Sequence, residues 1–178
     1  MHQESIEPEF EEEKYPKLKK ALIIAVGILL IILITSFIIV GYPLGHILEG
    51  QIESEPLQEN IIQLDNLAIL FEGNSLENLR EIYHSTQNVE FSVCLQGRKE
   101  SNDYHITSLY VPVTYEQAFD HVTFEPCSNE TLIMLHSHPY KSCLASDTDI
   151  NTLESNKGNN PDILMVVMCE PGRFSVYE

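Results

Sequence analysis

The uncharged stretch from Ala21 to Gly41 constrains this chain more than any other part of it. It is rich in Ile and Leu, and only Thr35 and Ser36 in it are polar. As a helix it is long enough for a hydrocarbon core of ~30 Å, and a helix pairs its backbone polar groups internally, as that solvent demands. Residues 21–41 therefore read as one transmembrane helix. A signal peptide is the alternative, but the apolar core and the segment before it are too long, and no small-x-small cleavage site is evident. Residues 1–20 read as a polar tail, with a Glu-rich run broken by Phe10 and then Lys14, Lys17, Lys19 and Lys20. Residues 42–63, containing Pro and Glu, read as a stalk, and 64–178 as the folded domain. About 130 residues after the helix suffice for a core without staples.

Four lysines precede the apolar stretch, and no Lys or Arg follows it until Arg80. The positive-inside rule then expects a cytoplasmic N-terminus, a single pass through the cell membrane and an extracytoplasmic domain. Asn129-Glu130-Thr131 is a glycosylation sequon that agrees with this side but adds little. A formal charge of −17 argues against nucleic acid, whose phosphates it would repel. It fits a basic protein partner or simple solubility equally well. Cys94, Cys127, Cys143 and Cys169 are irregularly spaced and form no CxxC clip. Cys94 and Cys169 read as buried apolar residues and Cys143 as structural, with one bridge allowed if the domain lies outside the cytoplasm.

The chemistry-bearing pattern is His136-Ser137-His138-Pro139, followed by Ser146 and Asp149. Thr131 to Leu135 reads as a strand running into His136, and alternate strand residues point the same way. Both imidazoles would face one spot, and Asp149 would close a three-ligand set that leaves a fourth position open, as at a catalytic zinc. Elsewhere the domain reads as a strand at Asn66–Phe71, a helix from Ser75 to about Gln87, and strands around Glu90 and at Tyr104–Val113. A short helix at Asp149–Ser155, a buried strand at Ile163–Cys169 and a last strand at Arg173–Tyr177 follow.

The pattern H-S-H-P-x6-S-x2-D resembles the JAMM motif of the MPN-domain zinc metallopeptidases, the family of the proteasome-lid deubiquitinases and their archaeal relatives. Glu90 to Gly97 fits the upstream E-x-x-x-L-x-G segment of that motif, and Cys143 falls where the proteasome-lid enzyme carries a cysteine. The resemblance covers roughly Asp65 to the C-terminus. Tyr140-Lys141-Ser142 departs from it where eukaryotic members tend to be glycine-rich. It implies an α/β fold, the MPN (JAMM) domain, with a mixed β-sheet flanked by helices behind the transmembrane helix. It also implies one Zn2+ per chain on His136, His138 and Asp149, Glu90 as general base, and Ser146 donating to the tetrahedral intermediate. The expected reaction is metalloprotease hydrolysis of an amide, with a ubiquitin-like conjugate as one candidate substrate.

Plainer readings stand beside these. Glu90 alone would be a solvent-face residue of a half-exposed strand. Ser146-x-x-Asp149 before a helix is also a capping box, and one hydroxyl cannot fully serve both that and an intermediate. Ser137 should point away from the metal. His84, His105 and His121 read as surface or packing residues, and Tyr140 and Lys141 as solvent-exposed groups bordering the site. The rival functions are an inactive MPN interaction module on a membrane anchor and a zinc hydrolase of extracellular peptides or small amides.

Overall fold

Short apolar strands dominate the chain after its first helix, and they pair edge to edge until no edge of the main sheet is left. The computed structural model describes residues 17–41, 44–86, 89–118, 121–138 and 142–178. Residues 1–16 of the expected tail, 42–43 of the expected stalk, Gln87, Asn88, Pro139, Tyr140 and Lys141 lie outside the described residues. The chain divides into two units, Met1–Pro43 and Leu44–Glu178.

The first unit holds α1 (Lys17–Gly41). Among the described residues it is the one helix long and apolar enough to cross a membrane, a description that a signal sequence also meets. None of its apolar span is buried. The Thr35 hydroxyl donates back to the Ile31 carbonyl, so this polar group is paired within the helix.

The second unit begins with α2 (Leu44–Glu53), β1 (Glu55–Gln58), β2 (Ile61–Gln63) and β3 (Ala68–Phe71). Next come α3 (Ser75–Ser85), β4 (Ser92–Glu100), β5 (Asp103–Tyr110), β6 (Thr114–Gln117) and β7 (Val122–Phe124). It ends with β8 (Thr131–Ser137), α4 (Asp147–Lys157), β9 (Leu164–Glu170) and β10 (Arg173–Tyr177). Among the described residues, eight strands close into a barrel in the order β1-β10-β9-β8-β4-β5-β3-β2, and β6–β7 is a separate hairpin. The pairs β3–β5 and β8–β9 are parallel, so the barrel is mixed.

This corrects the expected α/β fold: the helix-flanked mixed sheet of an MPN (JAMM) domain does not form, and a closed barrel stands in its place. The cause lies in the segment expected to be a stalk. Its residues 44–63 belong to the second unit and supply α2, β1 and β2. Strand β1 pairs with β10 on one side and β2 on the other, and β2 pairs with β3. Without those two short strands the sheet would be open at β10 and β3, with a row of unpaired backbone groups at each edge.

One face of every long strand fills the barrel. Ile69 and Phe71, Val93 and Leu95, Tyr104 and Ile106, Ile133 and Leu135, and Leu164, Val166 and Met168 alternate into a single cluster with Phe174. Helix α3 adds Leu76 and Leu79 to it. Each such side chain contributes about 1.5–3 kcal/mol on burial. Strands β8 and β9 are covered on both faces. Their outward Met134 and Met165 form a second cluster with Leu153 of α4 and with Ile163. Burial on both sides explains why their sequences run apolar without alternation.

The cysteines form two bridges, Cys94–Cys127 and Cys143–Cys169, with Cα separations of 5.8 and 5.0 Å. This corrects the reading of Cys94 and Cys169 as unpaired apolar residues. Irregular spacing hid the pairing, because the partners are 33 and 26 residues apart and meet only once the strands have paired. Gly97 also acquires a packing reason. It sits at a register shift between β4 and β5, and a Cβ there would lie 1.8 Å from the His105 carbonyl oxygen.

Gly97→Ala is therefore expected to destabilise the domain by more than about 3 kcal/mol or to prevent folding, read from chemical unfolding of the full chain. Replacing Cys94 and Cys127 together by Ala should cost about 2–4 kcal/mol in the same measurement while leaving the barrel's far-UV circular dichroism intact.

Candidate metal centre

Strand β8 places its histidines by alternation. Met134 and His136 share the outward face, and His138 follows one step beyond the strand's end. His136 lies opposite Ser92 of β4 and beside Val167 of β9, which fixes the strand end in register. Between the two histidines, Ser137 faces the other way, as expected. Its Oγ accepts from the Phe91 amide at 3.1 Å, and its own amide donates to the Phe91 carbonyl at 3.0 Å.

Asp149 comes from the first turn of α4. Ser146 is the N-cap, and both arms of the capping box form: the Asp149 amide donates to Ser146 Oγ at 3.2 Å, and the Ser146 amide donates to Asp149 Oδ2 at 2.7 Å. Ser146 Oγ also donates to that oxygen at 2.7 Å. The capping reading of Ser146 is thus satisfied, and its hydroxyl orients the Asp149 carboxylate. A carboxylate there also complements the positive end of the helix dipole.

The loop leading into α4 is held by three contacts. Cys143 is bonded to Cys169 of β9, and the Ala145 amide donates to the Tyr177 hydroxyl of β10 at 2.8 Å. Gly50 of α2 packs so closely that a Cβ on it would lie 3.0 Å from the Cys143 nitrogen. These anchors matter because Leu153 is the one buried residue of α4. The helix has little apolar area of its own to fix it.

Three ligand atoms converge as a result. His136 Nε2 and His138 Nε2 are 3.1 Å apart, and Asp149 Oδ2 lies 3.3 and 3.4 Å from them. A tetrahedral site with bonds of ~2.0–2.1 Å has ligand atoms about 3.3 Å apart along each edge. The buried His136, with the half-buried His138 and Asp149, can therefore hold a metal ion. Glu90, itself buried, brings its Oε1 to 3.9 Å from His138 Nε2. No protein-family model matches the chain, and no curated protein matches it. The chemistry of the site has to be read from its own side chains.

Electrostatics favours a cation at this point. Burial works to raise the Asp149 carboxyl, but hydrogen bonds from His136, His138 and Ser146 outweigh it and hold the group well below the usual carboxylate range. Burial also works against charging His138. The hydrogen bond to Asp149 and the charge of Glu90 overcome it, so its pKa stands above the ordinary imidazole value.

The hairpin of β6 and β7 forms a further wall, and sequence reading missed it. The Glu90 amide donates to the Ala118 carbonyl at 3.0 Å, and Gln117 Nε2 donates to the Glu90 carbonyl at 2.7 Å. These bonds tie the hairpin to the Glu90 segment. His121, expected to be a surface or packing residue, lines the cavity at the site and lies 3.4 Å from Glu116. His105 instead pairs with Glu72 at 2.8 Å, away from this cavity. No signal in the sequence places His121 near His136, since only the hairpin's docking does so.

A metal ion on His138 needs the neutral imidazole, and the raised pKa of this group makes the proton a competitor. Apparent metal affinity should therefore fall as pH is lowered, by up to about tenfold per pH unit for one displaced proton. A competition titration of the full chain with a chromogenic chelator at pH 8, 7 and 6 reads this directly. Asp149→Asn should weaken binding at every pH, whereas Ser137→Ala should leave it unchanged.

Proposed function

We propose that this chain is a membrane-anchored, zinc-dependent hydrolase of amide bonds whose domain lies outside the cytoplasm. The observation that carries the reading is the convergence of His136, His138 and Asp149 beside a buried, otherwise unusual carboxylate, Glu90. Two imidazoles and one carboxylate suit zinc by ligand type, with room for a further ligand. The likeness of these residues to the JAMM motif supports the same chemistry, although the expected architecture does not enter into it.

A zinc ion supplies Lewis acidity, which polarises an amide carbonyl and makes water a better nucleophile at neutral pH. The residues of the chain do the rest. Glu90 takes the proton of the attacking water and returns it to the leaving amine, a shuttle for which one carboxylate suffices. Ser146 holds Asp149 in place through its hydroxyl. By turning that hydroxyl away from Asp149, it can instead donate to the oxyanion of the tetrahedral intermediate.

Two observations favour the extracytoplasmic side. Disulfides persist in oxidising compartments, and Cys94–Cys127 and Cys143–Cys169 are both bridged. Lys17, Lys19 and Lys20 flank the N-terminal end of the apolar helix, which by the positive-inside rule keeps that end in the cytoplasm. Both weigh towards peptides or small amides outside the cell and against intracellular release of a ubiquitin-like modifier. All the ligands and the base are present, which weighs against an inactive interaction module.

Full-length protein in detergent, loaded with zinc, should carry one zinc per chain and cleave linear peptides faster than an isopeptide-linked fusion. Glu90→Gln should keep its zinc and lose roughly 10²–10⁴-fold in kcat, the range expected for loss of a general acid–base group. His138→Ala should lose both zinc and activity. A folded wild-type protein that takes up no zinc would overturn the reading.

A further inference from the structure

The cavity at the metal centre extends well beyond the ligands. Its volume is about 360 Å³, at the small end of the roughly 300–1,000 Å³ typical of ligand pockets. One end is Glu90, His136, His138 and Asp149. The rest is mixed: Ser92, His121, Thr148 and Thr152 bring polar groups, and beside them lies an apolar set. Met134 stands two residues before His136 on the same outward face of β8, and Met165 is its neighbour in register on β9. Val122 and Phe124, two apart on β7, line the cavity from the hairpin side. One strand step of two residues is about 6.6–6.8 Å. The floor made by the methionines therefore begins about one residue pair away from the ligands.

An apolar patch thus lies beside the ligand residues within one cavity, and a substrate with an apolar group next to its polar one matches both. We infer that the pocket formed by Val122, Phe124, Met134 and Met165 receives one apolar side chain of an extended peptide, adjacent to the amide that is cleaved. The inference rests on the hydrolase reading above and deepens it by naming a substrate class: peptides with a Leu-, Met- or Phe-sized residue beside the scissile bond. The occupant follows from continuity of the pocket with the ligand set and from charge. Glu90 and Asp149 at the metal end, on a chain of formal charge −17, disfavour an anionic side chain. The volume admits a side chain and its backbone but no large ligand. Small pockets of this kind discriminate by about 10–200-fold per methylene group gained or lost.

The test uses zinc-loaded full-length protein and a set of Gly/Ser-based peptides in which a single Leu is moved through successive positions. A Glu-for-Leu series runs beside it. The expected result is cleavage at one fixed offset from the Leu, with kcat/KM at least about tenfold above the all-Gly/Ser peptide, and no cleavage directed by Glu. Phe124→Ser and the isosteric Val122→Thr should each reduce the Leu preference while zinc content is unchanged. Phe124→Leu should retain it. Cleavage at equal rates wherever the Leu stands, or a preference untouched by both hairpin variants, would overturn the pocket assignment and leave the hydrolase reading standing. Failure of the zinc-loaded protein to cut any peptide or fusion would remove the hydrolase reading and this inference with it.

Discussion

The parallel pairing of β8 with β9 is the constraint on which the site depends. Parallel neighbours cannot be joined by a tight turn, so the chain must cross over, and α4 is that crossover. The crossover delivers the start of α4 to the region where β8 ends. His136 and His138 come from the strand end, and Asp149 comes from the helix's first turn. Two elements that the chain is obliged to connect thus bring three ligand atoms to within 3.4 Å of one another. The capping box then performs two tasks at once: it terminates the helix and it aims the carboxylate. Neither task needs a residue beyond those the helix start already requires.

A site of this kind needs rigidity that α4 does not provide alone. With Leu153 as its one buried residue, the helix depends on what surrounds it. Cys143–Cys169, the hydrogen bond from Ala145 to Tyr177 and the close approach of Gly50 secure its leading loop to β9, β10 and α2. Barrel closure ties these three together, since β10 reaches its partner β1 only because the residues after α1 fold back into the domain. Support for the candidate metal site therefore extends to residues far from it in sequence.

The hairpin of β6 and β7 has a different function in the fold. It adds no strand to the barrel, yet its backbone is bonded to the Glu90 segment and its side chains wall the cavity. It brings His121, Val122 and Phe124 to the cavity that also holds His136, His138, Asp149 and Glu90.

Local physics made much of this legible in the chain itself. A long uncharged stretch can only be a helix if it enters hydrocarbon, and α1 is helical over Lys17–Gly41. Strand alternation puts His136 and His138 on one side, and Ser146-x-x-Asp149 marks a helix start whatever the fold, so the three ligand residues were visible as a pattern. Closure was not. The short strands at Glu55–Gln58 and Ile61–Gln63 carry weak signals, and their role exists only because β10 and β3 leave edges that need partners. The same holds for the two disulfides, each joining the outer face of a strand to a loop distant in sequence, and for His121 and Phe124, which reach the cavity only when the hairpin docks. Periodicity and capping act over a few residues and can be read from order alone, whereas pairings between distant segments depend on which surfaces remain uncovered once the chain has folded.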